Sequence, residues 1–216
     1  MNNINDLLKE SILNSQHCQR NWDLSKNISQ EDLSTLVSAV TDCPSKQNIA
    51  YYKCHFITNR SKIEEIYSNT DGFTVTYSPK ITQTNTQTLA NLVVAFEDIT
   101  ITPRYLSGVI RNDQSLWMQS NDNAIPEELK RDKEMAIGIA SGYLNLTANI
   151  LGYSTGFCAC FNPFIVGNVL GVTNKILLLV GIGFKNDSLH RRQHQLIPEF
   201  MYPSFNKQPI EVSYVN

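Results

Sequence analysis

The sequence predicts an α+β fold in which helices flank one central β-sheet, and three observations support this class. Aromatic or apolar runs typical of strands recur at 50–58, 91–96 and 175–184. Segments with helical periodicity lie between these runs, and the longest spans 126–151. No internal repeat or linker divides the chain. We therefore expect a single domain over residues 1–216, in which 195–216 form a C-terminal extension.

The composition of the 216-residue chain excludes several classes of protein. Hydrophobic residues make up 42% and charged residues 18%, which is too apolar for a disordered protein. A net charge of −2 does not suit a polyanion binder, so we expect no nucleic-acid partner. No apolar run reaches the roughly 20 residues that cross a bilayer, and the polar N-terminus lacks the apolar region of a signal peptide. Five cysteines without CxxC pairs suit reduced thiols, so we expect a cytoplasmic protein without a membrane partner.

Two helices are expected before the first strand. Apolar residues recur at i, i+3, i+4 and i+8 from Ile4 to Ile12, which marks one face of a helix. Ser29 and Asp32 form a capping box that starts a second helix. Pro44 disfavours a helical conformation at the residue before it, so this helix should end near 41–43.

The middle of the chain alternates between strands, a helix and irregular segments. The run 50–58 is rich in aromatic residues and predicts a strand, whereas 61–68 has the pattern of a short helix. The polar segment 71–89 predicts a long loop with a short strand at 73–77. The continuous apolar run 91–96 suits a central strand, and 103–123 is irregular in pattern.

One long helix dominates the C-terminal half. Pro126 suits a first helical turn, and Gly152 ends the helix. Because apolar residues occupy several of its sides, we expect this helix to be buried centrally. The residues expected on its buried faces are Met135, Ile137, Ile139, Ala140, Tyr143, Leu144, Leu146, Ala148 and Ile150. A short helix at 164–170 and a buried strand at 175–184 follow, and the tail 195–216 has no helical period.

The sequence contains none of the common catalytic motifs. It has no P-loop, no GxGxxG after a strand, no HExxH and no GxSxG. The four histidines lack the spacing of a metal site. Cys158 and Cys160 are compatible with a metal or redox site, but small buried residues in a glycine-rich turn are the commoner meaning. We therefore expect no metal and no catalytic acid or base.

Three segments, taken together, resemble the nitroreductase family of FMN-dependent oxidoreductases. The first is 17–22, where Arg20 and Trp22 match the second arginine and the aromatic residue of the family's Arg-Ser-x-Arg-x-aromatic segment. The second is 44–48, which matches the family's Pro-Ser-x-x-Asn element after a capped helix. The third is 151–160, which is similar to the family's Leu-Gly-x-Gly-Thr/Ser-x-Trp-x-Gly-Gly turn. The resemblance spans about 7–194, and the order and spacing of the segments are more specific than any one of them.

The sequence departs from the family pattern at several of these positions. His17 and Cys18 stand where arginine and serine are usual. Phe157 replaces tryptophan, and Ala159 and Cys160 replace a pair of glycines. The loss of one arginine should weaken phosphate binding, because His17 is charged only in part near neutral pH. The side chains at 159 and 160 limit positive φ there.

The resemblance implies a nitroreductase-like central mixed sheet flanked by helices, and a homodimer with FMN at the subunit interface. The apolar tail would then be exchanged across the dimer, because it has no obvious place on a compact monomer. The cofactor-binding residues that the resemblance implies are His17, Cys18, Arg20, Pro44, Ser45, Asn48, Phe157, Cys158, Ala159, Arg191 and Arg192.

Several of these residues suit particular parts of FMN. Arg20 and one of Arg191 and Arg192 would bind the phosphate, because a guanidinium fork matches its oxygens. Asn48 would offer a donor and an acceptor to the pyrimidine edge of the ring. Backbone N–H groups at 157–160 would reach N5 and O4 of the flavin, where small side chains allow a close approach.

The implied activity is hydride transfer from NADH or NADPH through bound FMN to an electron-poor acceptor such as a nitroaromatic or a quinone. Both substrates would use one pocket in turn, which gives ping-pong kinetics. Tyr105 and Trp117 lie in the segment that family members use as a variable flap, where they would line the substrate side. Three alternatives stay open: another flavin reaction (dehalogenation, azoline oxidation or flavin fragmentation), a flavin binder without turnover, and an interaction protein without a cofactor.

Overall fold

A four-stranded antiparallel sheet forms the centre of the computed structural model, which describes residues 3–74, 82–83, 85–99 and 126–215. Its strands are β1 (Tyr52–Ile57), β4 (Leu92–Asp98), β6 (Ile176–Gly183) and β5 (Ser154–Cys158), in that spatial order. The two-residue strands β2 (Phe73–Thr74) and β3 (Thr82–Gln83) pair separately. Every described junction of the central sheet is antiparallel, so the described strands do not form the mixed sheet that the resemblance implies.

Five α-helices and two short 3-10 helices surround the sheet in the described part of the chain. They are α1 (Ile4–Ser15), α2 (Gln30–Thr41), α3 (Arg60–Ser68), α4 (Pro126–Ile150), α5 (Pro163–Val169), η1 (Lys46–Asn48) and η2 (Thr86–Thr88). The Ser29 hydroxyl caps α2 by accepting from the N–H of Asp32 at 3.0 Å, as the capping box predicts. Gly152, with a φ of 86°, ends α4 at the predicted boundary. The predicted strands at 50–58, 91–96 and 175–184 are confirmed with small shifts at their ends.

Helices cover both faces of the sheet, so β4 is buried on both of its sides. Leu92, Val94 and Phe96 of β4 join one hydrophobic cluster with α2 and α4. Val93 and Ala95 point to the opposite face and join a second cluster with α3 and α5. The continuous apolar run of this strand is therefore explained by its cover on both faces.

Only one flank of α4 is buried in the single chain. Ala140 and Leu144, on this flank, have no exposed surface. The predicted burial of Met135, Ile139, Tyr143 and Ile150 is wrong for the single chain, where 57%, 38%, 50% and 41% of their surfaces are exposed. The reason is that the sheet contacts one side of a helix and cannot cover the neighbouring side as well.

A second set of exposed apolar residues lies on α1, which packs against α4. We call the two sets together the α1/α4 apolar face. It comprises Ile4, Leu8, Ile12, Met135, Ile139 and Tyr143.

The segment 151–160 differs from its prediction as a turn. Residues 154–158 form β5, an edge strand whose Gly156 lies directly opposite Gly181 of β6. Only Ala159 and Cys160 follow the strand as irregular backbone. Glycine-rich composition suggests a turn, but here the two glycines serve a close approach of η2 to the sheet.

The chain after β6 packs on the rest of the protein as far as Tyr202, and residues 203–215 are exposed. Tyr202 is 1% exposed, whereas Phe205, Ile210 and Tyr214 are 87%, 78% and 90% exposed. Residues 103–123, with Tyr105 and Trp117, and part of the predicted strand at 73–77 lie outside the described residues. No helix in the described ranges is long and apolar enough to span a membrane.

Candidate functional site

The segment 17–22 lies along the outer edge of β5. The N–H of Gln19 donates to the carbonyl of Thr155 at 2.8 Å. The Asn21 amide donates to the carbonyl of His190 at 2.7 Å and to that of Gln193 at 3.2 Å. These bonds bring the N-terminal segment beside the residues that follow β6, as the sequence predicts for a shared site.

Arg20 is the centre of this arrangement and is held on two sides. Its Nη1 donates to Oε1 of Gln87 at 2.6 Å. Its guanidinium carbon lies 4.0 Å from the centroid of the Tyr202 ring, in cation–π contact. The side chain is half-buried, which orders the cation without removing it from solvent.

Gln87 connects Arg20 to β5. Its Nε2 donates to the carbonyl of Phe157 at 3.2 Å. The residue lies in η2, whose position is also fixed by Trp22, because the indole Nε1 donates to the carbonyl of Thr86 at 2.9 Å. Gln87 was not predicted as a site residue, because it lies in a polar stretch that predicts a loop. A single buried glutamine also produces no hydrophobic periodicity.

The two arginines after β6 have different surroundings. Arg192 donates from Nη1 to the carbonyl of Tyr202 at 2.9 Å and so anchors the tail. Arg191 makes no side-chain hydrogen bond to any described residue, and it lies close enough to His17 and Cys18 to act on both electrostatically. Arg20 also acts electrostatically on Cys18.

Burial and neighbouring positive charges shift the pKa values of Cys18 and His17 at this site. Burial raises the pKa of the Cys18 thiol, while Arg20, the N–H of Phe157 and Arg191 act in the opposite direction. Burial and the Arg191 guanidinium lower the pKa of His17, so its imidazole is mostly neutral at neutral pH. The cationic groups beside Cys18 are therefore Arg20 and Arg191.

Of the N–H groups at 157–160, which we expect to reach a flavin, the one at Phe157 already has a partner within the chain. The N–H of Phe157 faces the Cys18 thiol, and its carbonyl accepts from Gln87. Cys158 is buried in the second hydrophobic cluster, and burial raises the pKa of its thiol to about 12. Ala159 is exposed beyond the end of the strand. The strand pairing of β5 accounts for this difference, since a turn would have left these groups free.

The Pro-Ser-x-x-Asn element lies apart from Arg20 within one chain. The Ser45 hydroxyl donates to the carbonyl of Ile49 at 2.9 Å, and Lys46 bonds Asp132 of α4 at 2.6 Å. Asn48 is exposed and has a φ of 53°, in the left-handed region that asparagine tolerates. No hydrogen bond or ion pair between described residues joins Pro44, Ser45 or Asn48 to Arg20.

Two further observations concern other places where a ligand or a metal ion could bind. A cavity of about 1020 Å³ lies between α4 and the ends of β4 and β6, lined by groups that include Asp98, Lys133 and Lys175. None of the predicted site residues is among the described residues that line it. The described part of the chain contains no group of three acidic, histidine or cysteine side chains that could hold a metal ion.

Comparison with known proteins supports the fold and the family. A model of the nitroreductase family matches residues 13–184. A nitroreductase family protein from Streptococcus pneumoniae is 14% identical, with 98% of this chain and 100% of that chain covered at a TM-score of 0.67. A candidate nitroreductase from Exiguobacterium sibiricum, solved in complex with FMN, is 18% identical, with 93% of both chains covered at a TM-score of 0.68.

A third solved structure is a candidate NAD(P)H:FMN oxidoreductase from Staphylococcus epidermidis. It is 16% identical, with 88% of this chain and 90% of that chain covered at a TM-score of 0.64. No curated protein matches the sequence. Identities this low establish the fold alone, whereas the family model covers well over half of the chain. The chain belongs to the nitroreductase family.

Proposed function

We propose that the protein is an FMN-dependent oxidoreductase that takes electrons from NADH or NADPH and passes them to an electron-poor acceptor such as a nitroaromatic or a quinone. The observation that carries this proposal is that Arg20 is held beside β5 and next to the residues that follow β6, where Arg191 also acts electrostatically on Cys18. The FMN complex of the similar Exiguobacterium protein supports the choice of flavin. Five free cysteines suit a reducing compartment, which supports a cytoplasmic location.

The phosphate of FMN would bind between Arg20 and Arg191. Gln87 uses one donor of Arg20, and the other donors of the guanidinium suit phosphate oxygens. Arg191 is the better partner of the two adjacent arginines, because it acts electrostatically on His17 and Cys18 beside Arg20 and makes no side-chain hydrogen bond to a described residue. His17 would add a neutral donor at the edge of this group.

The flavin ring would extend towards the Pro-Ser-x-x-Asn element of a second copy. The α1/α4 apolar face is a large exposed surface of the kind that subunit interfaces cover. In such a dimer Asn48 of one copy would offer its amide to the pyrimidine edge, and Pro44 and Ser45 would border the ring. The exposed tail would pack on the partner as well, which explains why its apolar residues have no cover within one chain.

The residues of the chain would bind and orient, while bound FMN would supply the redox chemistry between the nicotinamide and the acceptor. The described site contains no pair of side chains arranged as acid and base, so neither substrate would depend on a protein proton donor. One pocket that receives both substrates in turn gives ping-pong kinetics.

Two alternative functions follow from specific observations. His17 is neutral and Cys18 is bonded to its own segment, so phosphate binding rests on fewer charges than the family pattern provides. This favours, as a second candidate, a flavin binder without turnover. Another flavin reaction of the superfamily, such as dehalogenation, azoline oxidation or flavin fragmentation, is the third.

The test compares two neighbouring arginines. We expect purified protein to bind FMN, visible as flavin absorption, and to oxidise NADPH or NADH with a quinone. Arg191→Gln should weaken FMN binding at least tenfold and leave the affinity for riboflavin, which lacks the phosphate, nearly unchanged. The matched variant Arg192→Gln should affect both flavins to a similar, smaller extent. A protein that binds no FMN contradicts the proposal, and bound FMN without turnover supports the binder.

A further inference from the structure

We propose that Gln87 is a positioning residue that holds Arg20 and the end of β5 as one rigid unit, and thereby sets the geometry of phosphate binding. The inference deepens the proposed function and rests on it. It assigns a role to a residue that binds no part of FMN in our proposal but joins Arg20 to Phe157 of β5.

The first support is that both ends of the Gln87 amide are used. Its oxygen accepts from Arg20 at 2.6 Å, and its nitrogen donates to the carbonyl of Phe157 at 3.2 Å. The residue is 4% exposed, so these bonds compete little with water. The amide therefore fixes the distance between the cation and the strand edge.

The second support is that the sheet is shaped to receive this residue. A Cβ at Gly156 would lie 2.6 Å from the Cβ of Gln87 and 2.6 Å from the carbonyl oxygen of Gln19. A Cβ at Gly181, the partner of Gly156 in the β5–β6 ladder, would overlap the carbonyl oxygen of Gln87. Two paired glycines thus form a flat site on which η2 rests.

The third support is chemical. A neutral amide oxygen can orient a guanidinium and leave its positive charge available to an anion. A carboxylate at the same position would orient Arg20 equally well but would neutralise it. Tyr202 stacks on the guanidinium at 4.0 Å and is likewise uncharged. Arg20 is therefore held between two neutral groups, which suits a cation kept for a ligand.

The experiment measures FMN and riboflavin affinities for two variants of the full-length protein. Gln87→Met keeps the length of the side chain and removes both hydrogen bonds. We expect it to weaken FMN binding about tenfold, equivalent to about 1.4 kcal/mol, and riboflavin binding less than twofold. Gln87→Glu restores a partner for Arg20 but adds a negative charge, so FMN binding should weaken at least as much. A residue that only stabilises the fold would weaken both flavins alike.

A double-mutant cycle with Arg20→Met separates this inference from the proposed function. In Arg20→Met, the further change Gln87→Met should no longer affect FMN affinity. The same cycle for unfolding of the protein without flavin should show coupling between the two positions. If the wild type binds no FMN, the proposed function fails, while the unfolding cycle still tests the Arg20–Gln87 unit. Unchanged FMN affinity in Gln87→Met, equal loss of both flavins, or no coupling in either cycle would overturn the inference.

Discussion

At the scale of single residues, His194 connects the C-terminal tail to the candidate site, because it stacks on the tyrosine that contacts Arg20. Its Nδ1 accepts from the N–H groups of Leu196 and Ile197 at 3.2 and 3.1 Å, so the neutral ring carries its proton on Nε2. The ring is 1% exposed and stacks on Tyr202, whose ring also contacts Arg20. Burial, aided by the Arg20 charge, lowers the pKa of His194.

We expect this histidine to make the protein less stable in mild acid. The unfolded chain takes up a proton as pH falls through about 6.5, while the folded chain resists protonation until its lower pKa is reached. The stabilisation is therefore complete above the unfolded pKa and is lost progressively as pH falls below it. Protonation of Nδ1 also breaks both backbone hydrogen bonds.

Urea unfolding of wild type and His194→Asn between pH 5 and 8 tests this expectation. Asparagine keeps an acceptor for the two N–H groups but does not titrate, so the variant should lose less stability on acidification. His190→Asn serves as the control at an exposed histidine near the same site. Identical pH profiles for wild type and His194→Asn would contradict the assignment.

At the scale of secondary-structure elements, local patterns predict most of the fold and miss the part that builds the site. The strands β4 and β6, the capped helix α2 and the end of α4 follow from apolar runs, a serine cap and a glycine. The strand β5 and the 3-10 helix η2 do not follow from such patterns. The need for glycine at Gly156 becomes clear only when Gln87 is seen to pack against it. Their pairing depends on contacts between distant parts of the chain, which no local period encodes.

We expect Gly181→Ala to destabilise the protein by about 1 to 3 kcal/mol, the usual range for overpacking. The new methyl group would overlap a backbone oxygen of η2, which cannot rotate away as a flexible side chain could. Gly138→Ala, a glycine in α4 with open space around its Cα, should instead stabilise by about 0.5 to 1 kcal/mol. Equal effects of the two substitutions in urea unfolding would show that η2 does not rest on the sheet as described.

At the scale of the whole molecule, the sequence predicts apolar faces but not what covers them. Amphipathic periodicity reports that a helix face avoids water, and a partner subunit satisfies that condition as well as the chain's own core. Met135, Ile139 and Tyr143 were predicted from this period and are exposed in the single chain. The same limit applies to the site, since the segments 17–22 and 44–48 are recognisable in sequence but lie apart within one chain.

We expect the protein to be a dimer in solution, measured by sedimentation or light scattering. Tyr143→Glu places a charge on the α1/α4 apolar face and should give monomers with FMN affinity at least tenfold weaker, because Asn48 of the partner is lost. Ile165→Glu adds the same charge to an exposed apolar residue of α5, on the other side of the sheet, and should change neither property. A monomeric wild type, or a dimeric Tyr143→Glu with normal FMN affinity, would contradict this arrangement.

The long-range bonds of the segment 17–22 also determine when the site can first exist during synthesis. Gln19 and Asn21 bond to Thr155, His190 and Gln193, and the ring that stacks on Arg20 belongs to Tyr202. Ribosomes add roughly 5 to 20 residues per second, so about 10 to 40 s separate the translation of Arg20 from that of Tyr202. During this interval the nascent chain gains Gln87 but still lacks the ring that stacks on the arginine. The site that we propose for FMN would therefore be complete only after Tyr202 has been translated.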